Sequence, residues 1–300
     1  MQPVVEVDHV SKSFGSNQAV QDVSFEVGRG EIFGMLGPNG AGKTTTIRMI
    51  LDIFKPDQGR IAVMGGALTE EKKDLIGYMP EERGLYQDIP LERCLIYLAV
   101  LKGLPQEEAK KRLSRYLEQF DLTDHRKKKV KDLSKGMQQK AQIISTFIHQ
   151  PELVIIDEPF SGLDPINTQM VKDLILEMRS KGATFIMSTH QMHQVEELCD
   201  RIVLINEGKS VLYGNTREIR RRYAGNTILV ESPDELPSLP EISAITRQNH
   251  GVRLELAPGV TAQEILENLV AKKVMVERFE IAIPSINEIF IRVVSEGKEG

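Results

Sequence analysis

The spacing of apolar residues predicts two kinds of strand in the first part of the chain. Residues 23–27 alternate between apolar and polar side chains, which is the pattern of a strand with one buried face. Residues 153–156 are continuously apolar, which is typical of a strand buried on both faces of a parallel sheet. Together with the imperfect alternation of residues 4–10, these patterns predict an N-terminal antiparallel β layer that leads into a parallel sheet.

After residue 90 the apolar period changes to that of a helix. Within two successive runs, large apolar side chains recur every three or four positions, at Leu91, Leu95, Leu98, Leu101, Leu113, Leu117 and Phe120. These runs predict a helical insertion, at residues of about 85–150, within an α/β domain.

A second change of character follows residue 223, where the chain becomes polar and then, at residues 232–240, rich in proline. Beyond the junction, strands are predicted at residues 227–230, 252–256 and 274–281, and a helix at residues 261–272. The chain is therefore predicted to contain an α/β domain at residues 1–223 and a small α+β domain at residues 224–300.

Composition and charge are those of an ordinary soluble protein, with 300 residues of which 41% are hydrophobic and 27% charged. The first residues lack the features of a secretory signal, and the longest apolar run, residues 94–101, is far shorter than the roughly 20 residues that span a bilayer. Cys94 and Cys199 fit no metal or redox motif. We therefore expect a cytoplasmic protein, in which any membrane role must come through a partner. The net charge of −5 gives no reason to expect nucleic acid as a partner.

A glycine-rich segment at residues 37–45 joins a strand-like run to a helix-like run. In this context the glycines let backbone N–H groups surround an anion at the start of the helix. Lys43 adds a positive charge for the β and γ phosphates and is a candidate catalytic residue, and the hydroxyl of Thr44 is placed to bind Mg²⁺. The predicted nucleotide-binding residues here are Gly37, Asn39, Gly40, Ala41, Gly42, Lys43, Thr44 and Thr45.

Two acidic residues, Asp157 and Glu158, follow the buried strand at residues 153–156. They lie at its carboxyl end, where ligands bind in open α/β sheets. Beside a phosphate-binding loop, Asp157 is expected to hold Mg²⁺ and Glu158 to act as the general base for the attacking water. A later strand, residues 184–188, delivers His190 to the same edge. An isolated histidine is usually structural or simply exposed, but at this edge it can also contact the γ phosphate.

Two further features have both a structural and a functional interpretation. Phe14 lies on a glycine-containing loop, where its ring can either stack on adenine or pack within the fold. Ser134 is suited to cap a helix, and together with Gly136 it makes the start of that helix an anion site.

These segments, in this order, resemble the ATP-binding subunit of an ABC transporter over residues 4–222. The resemblance rests on a Walker A motif at residues 37–45, a Walker B strand at residues 153–157, a signature at residues 133–137 and a D-loop at residues 161–164. It implies a P-loop NTPase core of the ABC ATPase type, with the N-terminal antiparallel layer, the helical insertion and a small C-terminal α+β domain.

The resemblance also implies a role for each candidate residue. Phe14 takes the position of the adenine-stacking aromatic residue, Glu158 that of the catalytic carboxylate and His190 that of the switch histidine. Ser134 and Gly136 of a second copy would close over the γ phosphate. Two chains would then bury two ATP molecules in a head-to-tail dimer.

Three residues depart from the usual pattern of the family. Lys135 and Met137 replace a glycine and a glutamine of the signature. Glu81 stands where a glutamine is usual; a carboxylate can still bind Mg²⁺, but it adds negative charge beside the phosphates. The surrounding residues 77–86 resemble the subset that serves ABC-2-type exporters, including sodium-efflux systems.

The implied function is ATP hydrolysis that powers export through a separate transmembrane permease subunit, at the cytoplasmic face of the membrane. ATP and Mg²⁺ are the implied cofactors, and the C-terminal domain resembles the accessory domain of many exporter ATPases. Two alternatives remain open at this point. One is a soluble ABC ATPase that acts on nucleic acid or ribosomes, and the other, suggested by Glu81 and Lys135, is an ATP-binding switch with little turnover.

Overall fold

The computed structural model describes residues 2–82, 84–224, 226–248 and 251–296, which form two compact units divided between Gly214 and Asn215. The strands are β1 (Val5–Phe14), β2 (Asn17–Val27), β3 (Ile32–Leu36), β4 (Gln58–Val63), β5 (Ile76–Met79), β6 (Leu153–Asp157), β7 (Thr184–Thr189), β8 (Arg201–Asn206), β9 (Lys209–Asn215), β10 (Thr227–Glu231), β11 (Ile242–Gln248), β12 (Gly251–Leu256) and β13 (Arg278–Ile281). The helices are α1 (Lys43–Ile50), α2 (Glu70–Asp74), α3 (Leu91–Leu101), α4 (Gln106–Gln119), α5 (Lys135–Phe147), α6 (Pro165–Ser180), α7 (Met192–Leu198), α8 (Thr216–Tyr223), α9 (Ala262–Ala271) and α10 (Ile286–Glu296). Within these described ranges, every helix is too short or too polar to cross a membrane.

The first unit opens with a three-stranded antiparallel sheet in the order β2-β1-β4. Val5, Val7 and Val10 of β1 and Phe25 and Val27 of β2 are buried, and they share a hydrophobic core with residues of α1. Burial of one face of this sheet explains the alternation seen in the sequence. The predicted antiparallel layer is confirmed.

A six-stranded sheet in the order β5-β6-β7-β3-β8-β9 follows in the same unit. Strands β5, β6, β7, β3 and β8 pair in parallel, and every residue of β3, β6 and β7 is buried, which explains their apolar runs. The register pairs Leu36 with Thr189 and Asp157 with Ser188. The carboxyl ends of β3, β6 and β7 therefore meet at one edge of the sheet, and the predicted α/β class is confirmed.

Helices α3, α4 and α5 lie in the segment predicted as a helical insertion, and α3 contacts both of the others. Most of the predicted apolar stripe is buried, namely Leu91, Leu95, Leu113, Leu117 and Phe120. Leu101, however, is 57% exposed. It is the last residue of α3, and the chain turns away at Gly103. The apolar period therefore wrongly predicts that this last residue is buried.

The division between the units falls earlier than residue 223, the end of the first domain expected from the sequence. Helix α8 lies in the second unit. The side chain of Asn215 caps its start by accepting hydrogen bonds from two backbone N–H groups. Further along, Arg220 Nε donates to the carbonyl oxygen of Pro284 at 3.0 Å, which ties α8 to the segment before α10. We therefore place α8 with the C-terminal domain.

The second unit is a four-stranded antiparallel sheet in the order β11-β12-β10-β13, with α9 packed on one face. Ile228 and Leu254 from the sheet and Ile265 and Leu269 from α9 form its core. Strand β13 begins only at Arg278, later than predicted, and β11 and α10 are additional to the predicted elements. Parts of the exporter-like segment and of the predicted second domain lie outside the described residues, at positions 83, 225, 249, 250 and 297–300.

Candidate functional site

The loop between β3 and α1 has a backbone that requires glycine at two positions. Gly37 and Gly42 have φ angles of 148° and 107°. A Cβ atom on Gly37 would lie 2.1 Å from the carbonyl oxygen of Ile205, and one on Gly42 would lie 2.5 Å from that of Ala19. Gly42 is the N-cap of α1, and no side chain among the described residues caps this helix. Its first N–H groups are therefore suited to bind an anion.

Lys43 is a buried cation at the first position of α1, only 7% exposed. Its Nζ donates hydrogen bonds to the carbonyl oxygens of Gly37 (2.8 Å) and Pro38 (3.0 Å). Burial lowers the pKa of Lys43, and the negative charge of nearby carboxylates, Glu158 foremost, opposes that shift. Because its hydrogen-bond partners are neutral carbonyls, the lysine charge remains available to an anion held by the loop.

Asp157 ends β6 beside this loop and is 2% exposed. Its Oδ2 accepts a hydrogen bond from Thr44 Oγ1 at 3.0 Å, and its Oδ1 accepts one from Ser188 Oγ. With Glu81 on the same cleft, these oxygens suit Mg²⁺, which binds one or two protein carboxylates and fills its shell with water and phosphate oxygens. No three His, Cys, Asp or Glu side chains converge as a metal cluster in the described parts of the chain.

Glu158 follows Asp157 in a left-handed backbone conformation, with φ of 53°, and is 5% exposed. Its Oε1 accepts a hydrogen bond from the backbone N–H of His190 at 2.9 Å and lies 2.6 Å from His190 Nδ1. Its Oε2 accepts one from the hydroxyl of Thr189 at 3.1 Å. Both carboxylate oxygens are thus held by the end of β7 and the residue after it, so the carboxylate has a fixed orientation.

One cleft of about 770 Å³ collects most of the predicted nucleotide residues. Those that line it are Phe14, Asn39, Gly40, Ala41, Gly42, Lys43, Thr44, Thr45, Glu81, Asp157 and Glu158. Gly37 joins this group through its hydrogen bond with Lys43, and His190 joins it through Glu158. No motif in the sequence marks the other lining residues, which belong to polar stretches: Asn17, Gln18, Ala19, Gln21, Glu207 and Gly208.

Phe14 has both a packed and an exposed side. Its ring centroid lies 5.3 Å from that of Phe54 with an interplanar angle of 70°, and the residue is 43% exposed. Asp57 accepts hydrogen bonds from Lys12 Nζ (2.6 Å) and from the N–H of Ser13 (2.7 Å), which anchors this end of β1. The sequence left packing and stacking open, and the geometry accommodates both, because one edge of the ring contacts Phe54 while the residue lines the cleft.

Ser134 and Gly136 do not line this cleft. Ser134 caps α5, since its Oγ accepts a hydrogen bond from the N–H of Met137 at 3.2 Å. Gly136 lies in the first turn, and a Cβ atom there would lie 3.8 Å from the carbonyl oxygen of Gly162, in the segment that resembles a D-loop. The starts of α1 and α5 are therefore separate within a single chain, and only the start of α1 belongs to the cleft.

Comparison with known families finds two matches along the chain. Residues 20–161 match the family described as ABC transporter. Residues 214–294 match the family described as the C-terminal domain of DrrA1-3-like ATP-binding proteins.

Similar sequences include several ATP-binding proteins. The ABC transporter ATP-binding protein YhaQ of Bacillus subtilis is 41% identical over 291 residues, which cover 96% of this chain and 97% of that protein. The linearmycin resistance ATP-binding protein LnrL of Bacillus subtilis is 31% identical over 304 residues, covering 97% and 98%. The Nod factor export ATP-binding protein I of Ralstonia nicotianae is 31% identical over 245 residues, covering 81% and 76%.

Solved structures agree with the sequence comparison. An ATP-binding subunit of an ABC transporter superposes with a TM-score of 0.69 at 35% identity, covering 73% of this chain and 93% of that one. The protein cbiO1 from Clostridium perfringens, part of the ABC transporter complex cbiONQ, superposes with a TM-score of 0.62 at 26% identity, covering 74% and 94%.

Proposed function

The chain belongs to the ATP-binding subunits of ABC transporters, and we propose that it powers export through a separate membrane subunit by hydrolysing ATP in the cleft described above. Members of this family bind ATP and are ATPases that drive transport. The direction of transport, the binding of Mg²⁺, the dimer and the role of each residue are our own inferences.

The phosphates of ATP bind at the loop before α1. There the first N–H groups of the helix donate to phosphate oxygens, and Lys43 neutralises charge on the β and γ phosphates. Thr44 and Asp157 hold Mg²⁺, with Glu81 at the edge of the same cleft, and the metal supplies further neutralisation of phosphate charge. The exposed side of the Phe14 ring stacks on adenine.

The hydrolytic role is supported above all by the hydrogen bonds that orient the Glu158 carboxylate. A carboxylate 5% exposed, bonded on both oxygens and lining the same cleft as Lys43, is suited to orient and deprotonate a water that attacks the γ phosphate. His190 contacts this carboxylate directly, and its side chain is 54% exposed, so it can reach both the base and the phosphate.

Two copies of the chain form the complete site. Ser134 and Gly136 start a helix that is suited to an anion but lies outside the cleft of its own chain. In a head-to-tail dimer the start of α5 from one copy closes over the γ phosphate held by the other. ATP then favours the closed dimer, and hydrolysis removes that preference.

The proposals of export and of a membrane partner are based on similar proteins. LnrL is a resistance protein and the Ralstonia protein is an export protein by their names, and the C-terminal part of this chain matches the DrrA-like domain. The cbiO1 protein is part of a transporter complex. This chain accordingly works at the cytoplasmic face of the membrane, with a separate transmembrane permease subunit.

Phosphate release by the full chain tests the hydrolytic role. The wild-type protein should release phosphate from ATP only with Mg²⁺, and Glu158→Gln should bind ATP normally but hydrolyse it roughly 10²–10⁴-fold more slowly, because the base is lost. The variant should also accumulate as an ATP-bound dimer in size-exclusion chromatography.

The control is Glu107→Gln, which changes an exposed carboxylate at the start of α4 that pairs with Lys110 and does not line the cleft. It should hydrolyse ATP at the wild-type rate. A Glu158→Gln variant as fast as this control would remove Glu158 from the role of base. Wild-type phosphate release as slow as that of Glu158→Gln would favour an ATP-binding switch instead.

A further inference from the structure

Gln142 lies on α5, two turns after the cap Ser134, and is 3% exposed. Its Nε2 donates hydrogen bonds to the carbonyl oxygens of Pro80 (2.8 Å) and Glu82 (3.3 Å). These two carbonyls flank Glu81, which lines the nucleotide cleft. One buried amide therefore bridges the helix that starts at Ser134 and the loop that carries Glu81.

The loop has little else to hold it. Within its described residues, 80–82 and 84, the two bonds from Gln142 are the only hydrogen bonds. Pro80 has no N–H to donate, and the side chain of Glu81 is exposed. Among the described residues, the two hydrogen bonds from Gln142 are therefore the ones that restrain the backbone on either side of Glu81.

Helix α5 lies close against β5 beside this loop. A Cβ atom on Gly77 would lie 2.5 Å from the carbonyl oxygen of Thr146, so the absence of a side chain at Gly77 lets the helix approach the strand. Thr146 is one turn after Gln142, and its hydroxyl donates to the Gln142 carbonyl oxygen at 2.9 Å. Any displacement of α5 carries Gln142 with it as part of a regular helix.

The orientation of the Gln142 amide follows from its partners. Two carbonyl oxygens require a donor, so Nε2 faces the loop, and Oε1 is left buried with no hydrogen-bond partner among the described residues. An unpaired buried oxygen destabilises a fold, and an apolar side chain of similar size would avoid that cost. The amide is therefore explained by its hold on the loop rather than by the stability of the helix.

We propose that Gln142 is a positioning residue that sets the Glu81 carboxylate in the nucleotide cleft and moves it together with α5. This rests on the proposed function, in which Glu81 lies beside Mg²⁺ and the start of α5 meets the nucleotide of a second copy. When a phosphate engages the start of α5, the displacement of the helix reaches Glu81 through the two hydrogen bonds.

The test compares Gln142→Met with Thr146→Val in the full chain. Both changes keep side-chain volume. Gln142→Met removes the two hydrogen bonds to the loop, whereas Thr146→Val removes one hydrogen bond within α5 and leaves the loop held. In the nucleotide-free protein, the backbone order parameters of Glu81 and Glu82, measured by NMR, should fall from about 0.85 towards 0.6 in Gln142→Met and stay unchanged in Thr146→Val. Unchanged order parameters in Gln142→Met would overturn the proposal.

ATP hydrolysis supplies a second measurement. Gln142→Met should raise the Mg²⁺ concentration for half-maximal phosphate release about tenfold, the size of effect seen when a residue that orients a metal ligand is lost. Thr146→Val should not. If thermal unfolding shows that Gln142→Met does not fold, Gln142→Leu takes its place in both measurements.

A double variant separates positioning from a general structural effect. In Glu81→Ala, a further change of Gln142→Met should leave the Mg²⁺ requirement where it is, because the carboxylate to be positioned is gone; additive effects would contradict the proposal. If Glu81→Ala alone leaves the Mg²⁺ requirement at the wild-type value, the metal role given to Glu81 in the proposed function is wrong. The order parameters then still decide whether Gln142 holds the loop.

Discussion

Helices α1 and α5 of the first unit both begin in a way that suits an anion, yet the two starts are built differently. Helix α1 begins at Gly42 without a side-chain cap, whereas α5 begins at Ser134, whose hydroxyl caps it. The lysine at the first position of α1, Lys43, is buried, and the one at the first position of α5, Lys135, is exposed. It follows that α1 is suited to hold a ligand within one chain, while α5 is complete as a helix and, in the proposed dimer, meets the nucleotide of a second copy.

The two lysines give the largest expected contrast. Lys43→Ala should weaken ATP binding by the isolated chain about 100-fold, or about 3 kcal/mol, because a buried cation that faces the phosphates is lost. Lys135→Ala should change this affinity less than about twofold, since its side chain is exposed outside the cleft. Isothermal titration calorimetry on both variants measures the difference. Equal losses of affinity would show that the two helix starts act alike.

Alanine substitutions of the two glycines near these starts should change the free energy of unfolding in opposite directions. Gly42→Ala should lower the free energy of unfolding by about 2–3 kcal/mol, because its φ is 107° and its Cβ would lie 2.5 Å from the Ala19 carbonyl oxygen. Gly136→Ala should raise it by about 0.5–1 kcal/mol, because alanine favours a helix and the nearest atom is 3.8 Å away. Urea denaturation measures both. In the Glu158→Gln background, the same methyl group on residue 136 should weaken the ATP-bound dimer; a dimer of unchanged stability would place the interface elsewhere.

His149, which follows the end of α5, should make the stability of the fold sensitive to acid, whereas α1 contains no histidine. Burial, together with the charge of Lys102 and to a lesser degree Arg112, lowers the pKa of His149 to about 4, although Asp74 and a backbone carbonyl oppose the shift. Between pH 6.5 and 4 the unfolded chain binds a proton that the folded chain does not, so the free energy of unfolding falls as the pH is lowered through this window. We expect a loss of about 2 kcal/mol.

Urea denaturation at pH 7 and pH 4.5 measures this loss. His149→Gln should make the stability less dependent on pH across the window, because the titrating group is gone. The same pH dependence with and without His149 would assign the effect to other groups.

The cap of α5 gives the smallest expected effect on stability. Ser134→Ala should lower the free energy of unfolding by about 1 kcal/mol, because a helix N–H loses its partner, and should leave ATP affinity of the isolated chain unchanged. In the Glu158→Gln background it should weaken the ATP-bound dimer, measured by analytical ultracentrifugation. Thr69→Ala, which removes the equivalent cap of α2, is the matched control and should leave that dimer intact. Equal weakening by both would mean that loss of a cap, rather than the position of Ser134, matters.

The parts of the molecule that follow a local rule could be predicted from the sequence. Fully apolar runs become the buried parallel strands. The loop between β3 and α1 is rich in glycine because its backbone has positive φ angles, which few other residues adopt. The alternation at residues 23–27 becomes β2 of the antiparallel sheet. Such features depend on periods of two residues or on a single turn, and both are visible in one sequence.

The features that could not be predicted depend on contacts between distant segments. Nothing local marks Ser188 and Thr189 as the residues that hold the two acidic groups of the cleft, because these contacts arise from the register of β6 and β7. The bridge from Gln142 to the loop of Glu81 joins residues sixty positions apart. In the second unit, α8 gives no local sign that it belongs with the C-terminal sheet, because most of its side chains are charged and few are buried.

The hydrogen bond that caps α5 also holds the side chain of Ser134 in place. The oxygen of Ser134 accepts the N–H of Met137, and a hydroxyl that accepts in this way still has its own hydrogen to donate. Because the accepting lone pair faces the first turn, that hydrogen is turned away from the helix. In the proposed dimer, a phosphate that approaches the start of α5 would meet an Oγ whose position the cap already holds, so that little side-chain entropy would be lost when the contact forms. The hydrogen bond that completes the helix within one chain thereby pre-organises its surface for association.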